Sequence, residues 1–346
     1  MTDFEPPLRL TLDGEALVSN WRYLKGQGQA GCGAAVKANG YGLGAVDVVR
    51  RLRDAGCRDF FVAHWGEAAA ISHLVAPDCI SVLNGITAAD IPHIRQIGAI
   101  PVLNTPQQIA LWRAAGGGRC HVMLDSGINR LGIGAEQFAA PLFEGLDIDI
   151  LLSHLASADE DSAQNNAQLR LFRQQTKLVK AKRLSLANSA GIMLSRDFHF
   201  DLTRPGLALY GGVPRTEMAP QIKPVVSLSS RILQVRTLTA GESVGYNATY
   251  TCTAPTRVAT ISLGYADGYL RSFAGKGNLR AHGVTVPIIG RVSMDLVTAD
   301  VTALVDIKEG DWIDVAYDLP HMSGLTGLSQ YELLTNLGHR FGRIWK

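Results

Sequence analysis

The chain has 346 residues, enough for one large domain with a smaller companion and a sizeable core. It is 47% hydrophobic and 18% charged, with 33 basic and 31 acidic residues and a net charge of +2. That is ordinary for a globular protein and carries no one-signed field that would mark nucleic acid or an anionic membrane as its main partner.

The N-terminal stretch MTDFEPPLRLTLDGEA is acidic and broken by Pro6 and Pro7, so no signal peptide is expected. No apolar run approaches the ~18 residues a membrane-spanning helix needs. Five cysteines (Cys32, Cys57, Cys79, Cys120, Cys252) are scattered, with no C-x-x-C pair. They argue against a zinc site or a disulfide framework and for reduced thiols. A cytoplasmic location, with no metal centre, is the expectation.

From about residue 31 to 210, short apolar runs alternate with stretches of helical spacing. The predicted strands are 33–37, 59–63, 79–83, 100–103, 120–125, 150–154, 184–188 and 207–210. The predicted helices include 45–55, 66–74, 106–115 and 163–181. Such alternation argues for a parallel sheet. Eight strands in about 180–200 residues argue for a closed (β/α)8 barrel over an open sheet.

The texture changes after Tyr210. The stretch GGVPRTEMAPQIKP carries three prolines and reads as a boundary. Beyond it, runs rich in Val, Ile and Thr at 225–235, 257–263, 284–289, 296–301 and 312–315 predict a mainly β domain. A last helical stretch covers 329–337. The division is expected as a barrel over 1–222 and a β domain over 223–346.

Four places carry candidate chemistry. In AAVKANGYGLG, Lys37 ends the first strand of the barrel, where catalytic groups of such folds sit. Partial burial there would disfavour its charge and leave an amine able to form a Schiff base. Taken alone, a solvated lysine capping a strand is the commoner case. In LDSGINRLG, Arg130 follows the fifth strand and could clamp a carboxylate, although an ordinary loop arginine reads the same way.

ANSAGI and TRPGLALYG follow late strands. There Asn188, Ser189, Gly206 and Leu207 offer the hydroxyl and N–H groups of a phosphate site, or for Ser189 a plain helix cap. In the β domain, VGYNATY, LGYADGY and GRVSMD gather tyrosines among Gly, Asn and Asp. Each alone is as readily a turn-packing aromatic.

Together these motifs resemble those of bacterial alanine racemases along essentially the whole chain. VKANGYG is similar to the family's lysine motif V-K-A-N-A-Y-G, and LDSGINRLG to V-D-T-G-M-x-R-L-G. LSHLASADE, ANSAGI, TRPGLALYG, VGYNATYT, LGYADG and GRVSMD each have a counterpart in the same order. The resemblance implies a (β/α)8 barrel that binds pyridoxal 5'-phosphate (PLP), followed by a β domain that also offers the Leu8–Leu12 region a place. It implies a head-to-tail homodimer in which each active site takes a barrel from one subunit and a β domain from the other.

Carried over residue by residue, Lys37 holds the cofactor covalently, and Lys37 and Tyr246 are the two catalytic bases. Tyr41, Ser189, Gly206 and Leu207 contact the phosphate, with Asn188 beside them. His154 lies by the pyridine ring and Arg204 faces its nitrogen. Arg130 bonds the phenolic oxygen near the substrate carboxylate. Tyr265, Met294 and Asp295 line the mouth from the partner subunit.

The implied reaction interconverts L- and D-alanine, for cell-wall synthesis or for alanine catabolism. An amino acid's α-proton needs an electron sink to leave at neutral pH, and racemisation needs a proton acceptor on each face. By the resemblance, Lys37 serves D-alanine and Tyr246 serves L-alanine.

Three positions depart from the family pattern. Met123 stands where many members have a carbamylated lysine that orients the arginine. Leu43 replaces a histidine after the lysine motif. His339 aligns with a tyrosine that closes the phosphate site.

Three rival readings follow from the same architecture. One is a racemase for serine or for many amino acids. Another is a decarboxylase, against which stands the lack of any Cys-Glu or Cys-Asp pair. The third is a non-catalytic PLP carrier, which would leave residues 223–346 and Tyr246 without purpose.

Overall fold

In a computed structural model that describes residues 5–346, the chain forms two compact units. One comprises Ala16–Lys223. The other combines the residues up to Glu15 with Pro224–Lys346.

The first unit is built on parallel strands. Ala34–Ala35, Phe60–Val62, Ile80–Val82, Ile100–Leu103, Arg119–Asp125, Asp147–Leu152 and Arg183–Ser185 pair in sequence order. The eighth strand, Leu202–Thr203, closes the ring. On one side it pairs with Gly31–Cys32, just before the first strand. The Gly33 N–H adds a bond to Thr203 O at 2.9 Å and the Ala35 N–H one to Pro205 O at 2.8 Å. On the other side the Asp201 N–H donates to Leu184 O (3.0 Å) and the Arg204 N–H to Ala187 O (2.9 Å).

Every residue of Phe60–Val62, Ile80–Val82 and Ile100–Leu103 is buried. Strands covered on both faces read as continuous apolar runs, which is why these were visible in the sequence.

The last predicted strand is misplaced. Leu207–Tyr210 is a buried 3-10 turn, and the strand lies five residues earlier. An apolar run of four carries no period that separates a strand from a buried turn. Helices Ala45–Asp54, Trp65–Ile71, Ile91–Ile97, Pro106–Ala114 and Ala163–Gln175 fill several connections. Thr105 and Ser162 cap the last two through their hydroxyls. The predicted 163–181 helix stops at Gln175 and passes into the 3-10 turn Thr176–Leu178.

The strand beginnings are bound by an ionic cluster around the buried Asp149. Asp149 accepts from Arg119 at 2.9 Å and from Arg183 at 2.8 Å, and Arg183 also reaches Asp59 at 2.8 Å. His121 accepts the Ile150 N–H at 3.2 Å and lies 3.0 Å from the Ser81 hydroxyl. That side-chain bond coincides with a register slip between Cys120 and His121.

The second unit is built on an eight-stranded β sheet. Thr256–Ile261, Val297–Asp300, Val284–Ile289, Asn278–Ala281, Trp312–Val315 and Val226–Leu238 pair successively. Val226–Leu238 also pairs with Thr256–Ile261, so these six close on themselves. Leu8–Leu12 joins the first half of Val226–Leu238 antiparallel, and Gly342–Trp345 lies parallel beside it.

Among the described residues no helix is long and apolar enough to cross a membrane. None of their His, Cys, Asp and Glu side chains cluster as a metal site would. All five cysteines are free thiols.

Candidate active site

Lys37 leaves the first barrel strand and enters an unusual turn. Ala38, Asn39 and Gly40 have φ of 53°, 53° and 64°, and Tyr41 follows at 55°. Left-handed backbone costs an L-residue roughly 1–2 kcal/mol, so three non-glycine residues there need outside support. Hydrogen bonds supply it. The Gly40 N–H reaches Val36 O and the Gly42 N–H reaches Ala38 O, both at 2.8 Å. Asn39 Oδ1 accepts the Ala45 N–H at 2.9 Å. Glu67 accepts the Ala38 N–H through Oε1 and the Ala63 N–H through Oε2, each at 2.7 Å.

The electrostatics at Lys37 favour a neutral amine. Burial pushes its pKa down, Arg130 adds to the effect, and Glu67 opposes it. His154 feels the same surroundings. Burial first, then Arg204, Arg130 and Lys37, hold its pKa down at about 3, so its ring is neutral in any ordinary buffer.

Arg204 is buried and held in place. One guanidinium nitrogen donates to the Ser185 hydroxyl and the other to Ser153 O. Burial lowers its pKa to about 10, which still leaves it charged at neutral pH. Ser153 is fixed in turn by Leu124 O at 2.8 Å and by Ser126 at 2.7 Å.

Arg130 rides on a loop organised by one carboxylate. Asp125 Oδ1 accepts the N–H groups of Gly127, Ile128 and Asn129 at 2.9–3.1 Å, and Oδ2 accepts that of Arg130 at 3.1 Å. Met123 is buried in the strand that leads to this loop.

Ser189, Gly206 and Tyr41 meet in one place. The Ser189 hydroxyl accepts the Gly206 N–H at 2.9 Å and the Ala208 N–H at 3.3 Å. A Cβ on Gly206 would stand 2.1 Å from the Tyr41 hydroxyl. The Tyr41 ring stacks on Tyr210 with centroids 4.6 Å apart. Leu207 opens the 3-10 turn, whose first N–H groups lack intrahelical partners. Asn188 is turned to local work, its Oδ1 accepting the Gly191 N–H at 2.8 Å. A hydroxyl pair, converging N–H groups, two arginines and a depressed lysine suit a molecule with anionic ends and an amine-reactive carbonyl.

The remaining candidates belong to the β unit. Tyr246 is 69% exposed at the tip of the hairpin Ser243–Val244/Tyr250–Thr251. Asn247 and Ala248 after it adopt φ of 62° and 48°. Tyr265, Met294 and Asp295 are brought together. The Tyr265 N–H donates to Ser293 O and the Ala266 N–H to Met294 O, both at 3.0 Å. Arg340 ties this corner, bonding Asp267 and Asp295 at 2.7 Å each. His339 is exposed next to it in sequence.

The sequence reading passed over Glu67, Asp125, Ser153, Ser185 and Arg340. Their partners are mostly backbone groups or residues far along the chain, so no spacing announces them. Asp125 alone had a signal: an Asp opening a Gly- and Asn-containing loop is a known turn organiser.

The chain is similar to known proteins over nearly all its length. Residues 12–214 match the family model described as alanine racemase, N-terminal domain, and residues 225–345 match alanine racemase, C-terminal domain. The alanine racemase of Acidiphilium cryptum is 39% identical, covering 97% of this chain and 98% of its own. A catabolic alanine racemase of Agrobacterium fabrum is 40% identical, covering 97% and 91%. The crystal structure of alanine racemase from Bartonella henselae with covalently bound pyridoxal phosphate superposes with a TM-score of 0.91 at 36% identity, covering 98% of this chain and 99% of that one. The biosynthetic alanine racemase of Pseudomonas aeruginosa gives 0.88 at 32%, covering 99% and 100%.

Proposed function

Because the chain belongs to the alanine racemase family, we propose that it interconverts L- and D-alanine with PLP bound at the barrel mouth. The observation that carries this is Lys37, a depressed amine held on a left-handed turn beside Arg130 and His154. The residues present fit PLP. Gly206 leaves no room for a side chain beside the Tyr41 hydroxyl, and the Ser189 hydroxyl and Gly206 N–H converge there. These groups, with Leu207, would hold the phosphate. His339 is a further phosphate contact on the resemblance alone, and Asn188 supports the turn beside it.

PLP, once bound, supplies the electron sink that makes the α-proton of an amino acid removable. The chain's own residues do the rest. Lys37 Nζ, whose pKa burial lowers, would hold the cofactor and, when released, take or return a proton on one face of the substrate, serving D-alanine. The Tyr246 hydroxyl does so on the other face, serving L-alanine. Neighbouring charges of an assembled site would help the Tyr246 hydroxyl to give up its proton. Its exposure supports a role facing a second copy of the chain. Tyr265, Met294 and Asp295 would line the mouth from that copy, making a homodimer with shared sites.

Arg204 remains charged and would donate to the pyridine nitrogen without surrendering its proton. Neutral His154 would lie beside the ring. Arg130 receives the substrate carboxylate. With Met123 in place of a carbamylated lysine, the Arg130 loop is braced by Asp125.

The test is a chiral assay in deuterated water with PLP present, offering L-alanine, D-alanine, L-serine and larger amino acids. Fast inversion confined to alanine, with α-deuteration from both enantiomers, is expected. Inversion across many substrates would replace the substrate assignment. Deuteration without inversion would remove Tyr246 from its role, and no exchange at all with PLP bound would leave a carrier.

A further inference from the structure

We propose that Glu67 is the positioning residue for the reacting lysine: it clamps the backbone that carries Lys37 and sets a negative charge against the arginines of the mouth. The proposal rests on Lys37 as the residue that attaches PLP.

The geometry is specific. Glu67 stands in the first turn of helix Trp65–Ile71, directly after the second barrel strand. Its two carboxylate oxygens are fully directed. Oε1 takes the N–H of Ala38, the residue following Lys37, at 2.7 Å. Oε2 takes the N–H of Ala63, at the end of the neighbouring strand, at 2.7 Å. Bonds of this length to an ionised acceptor are strong ones. The carboxylate therefore ties the lysine's own peptide to the barrel rim across the gap between two strands. The side chain is 18% exposed, so water competes weakly for it.

The clamp acts where the backbone is least comfortable. Ala38 begins the left-handed run, and an alanine at φ 53° does not stay there unaided. Releasing its N–H would let the turn relax toward ordinary backbone and carry Nζ with it. Small displacements matter, because a reacting amine must meet its target within a few tenths of an ångström.

Charge is the second contribution. Charged groups act on Lys37 from several elements. Arg130, on the loop after the fifth strand, lowers its pKa and Glu67 raises it. Lys37 in turn acts on His154 after the sixth strand, as does Arg204 after the eighth. His64 and Glu67 bracket the start of the helix, with His64 Nε2 3.9 Å from Glu67 Oε1. Arg130 disfavours a charged lysine, and Glu67 is the carboxylate that opposes it. Without it the Lys37 pKa would fall further, shifting the pH at which the amine takes up and returns its proton.

The experiment uses full-length protein with PLP, in wild type, Glu67→Gln and Glu67→Asp. The PLP-lysine linkage is trapped with borohydride across a pH series, and the pyridoxyl mass on the Lys37 peptide is quantified. Wild type must first show the label on Lys37; a label elsewhere or nowhere removes the functional reading and this proposal with it.

Given that label, two signatures are expected of Glu67→Gln. The attached fraction at limiting PLP falls several-fold, and the pH midpoint of attachment moves down by about half a unit or more. The second follows from the loss of the charge that favours the ammonium. Glu67→Asp keeps the charge but is too short to hold both N–H groups. It is expected to titrate near wild type while still attaching less. A purely structural role would move neither midpoint. A Glu67→Gln protein that titrates as wild type therefore overturns the proposal, whatever has happened to its turnover. Should the Gln variant fail to fold, an Asp variant with full wild-type attachment overturns it equally.

Discussion

At Gly206 one added methyl would collide with the Tyr41 hydroxyl. Gly206→Ala should therefore displace Tyr41 or the Ser189 contact and weaken PLP binding by about tenfold or more. The PLP dissociation constant, read by absorbance, checks this, and Lys37 should still attach what PLP binds. Arg204 invites the opposite experiment. Its guanidinium keeps its proton, whereas a glutamic acid could pass one to the ring and deepen the electron sink. Arg204→Glu is expected to increase transamination, measured as pyruvate formed per racemisation event; no change in side products would sink that role for the arginine. Lys37 and Arg130 stood out in the sequence because motifs carry them. Glu67 did not, because what it does is defined by two N–H groups that only the fold brings to it.

Loops and strands bear their own consequences. Asp125 alone gathers four N–H groups and so fixes the direction in which Arg130 leaves the strand. Asp125→Asn would put amide hydrogens against some of those donors. KM for alanine is expected to rise several-fold, by steady-state kinetics, with PLP binding little changed.

At the strand beginnings, His121 is 1% exposed, and burial lowers its pKa from the ordinary 6.5 to about 3. The unfolded chain takes up that proton as pH drops through 6.5, while the folded chain declines it until about 3. Stability from this group is therefore full above 6.5 and drains as pH falls, with His154 acting in the same sense. Thermal midpoints should decline between about pH 7 and pH 4, and His121→Gln should flatten that slope.

Barrel strands such as Phe60–Val62 and Ile100–Leu103 were legible because burial on both faces leaves them apolar. Leu207–Tyr210 misled for the same reason, since a buried turn is just as apolar. The strands Asn278–Ala281, with its exposed arginine, and Gly342–Trp345 went unseen because short strands with mixed faces leave no pattern long enough to detect.

For the molecule as a whole, the proposed sharing of sites between two subunits makes a sharp prediction. Lys37→Ala and Tyr246→Phe should each be inactive alone. In a hybrid dimer one site would lose both groups and the other would keep both. After exchange of equal amounts, activity should return to about a quarter of wild type, since half the dimers would be hybrids with one intact site. Mixtures that stay inactive, with exchange shown by mass, would place both groups in one subunit.

The pairing of Leu8–Leu12 bears on how the chain is made. Its neighbours on the two sides are Val226–Leu238 and Gly342–Trp345, so a strand made before the barrel must wait for strands made after it. At about 5–20 residues per second that wait is tens of seconds. The barrel sequence lies wholly inside this interval and can complete its own ring of strands first. During synthesis the Leu8–Leu12 segment, buried at alternate positions once folded, stays an unpaired edge, the kind of surface that invites mispairing.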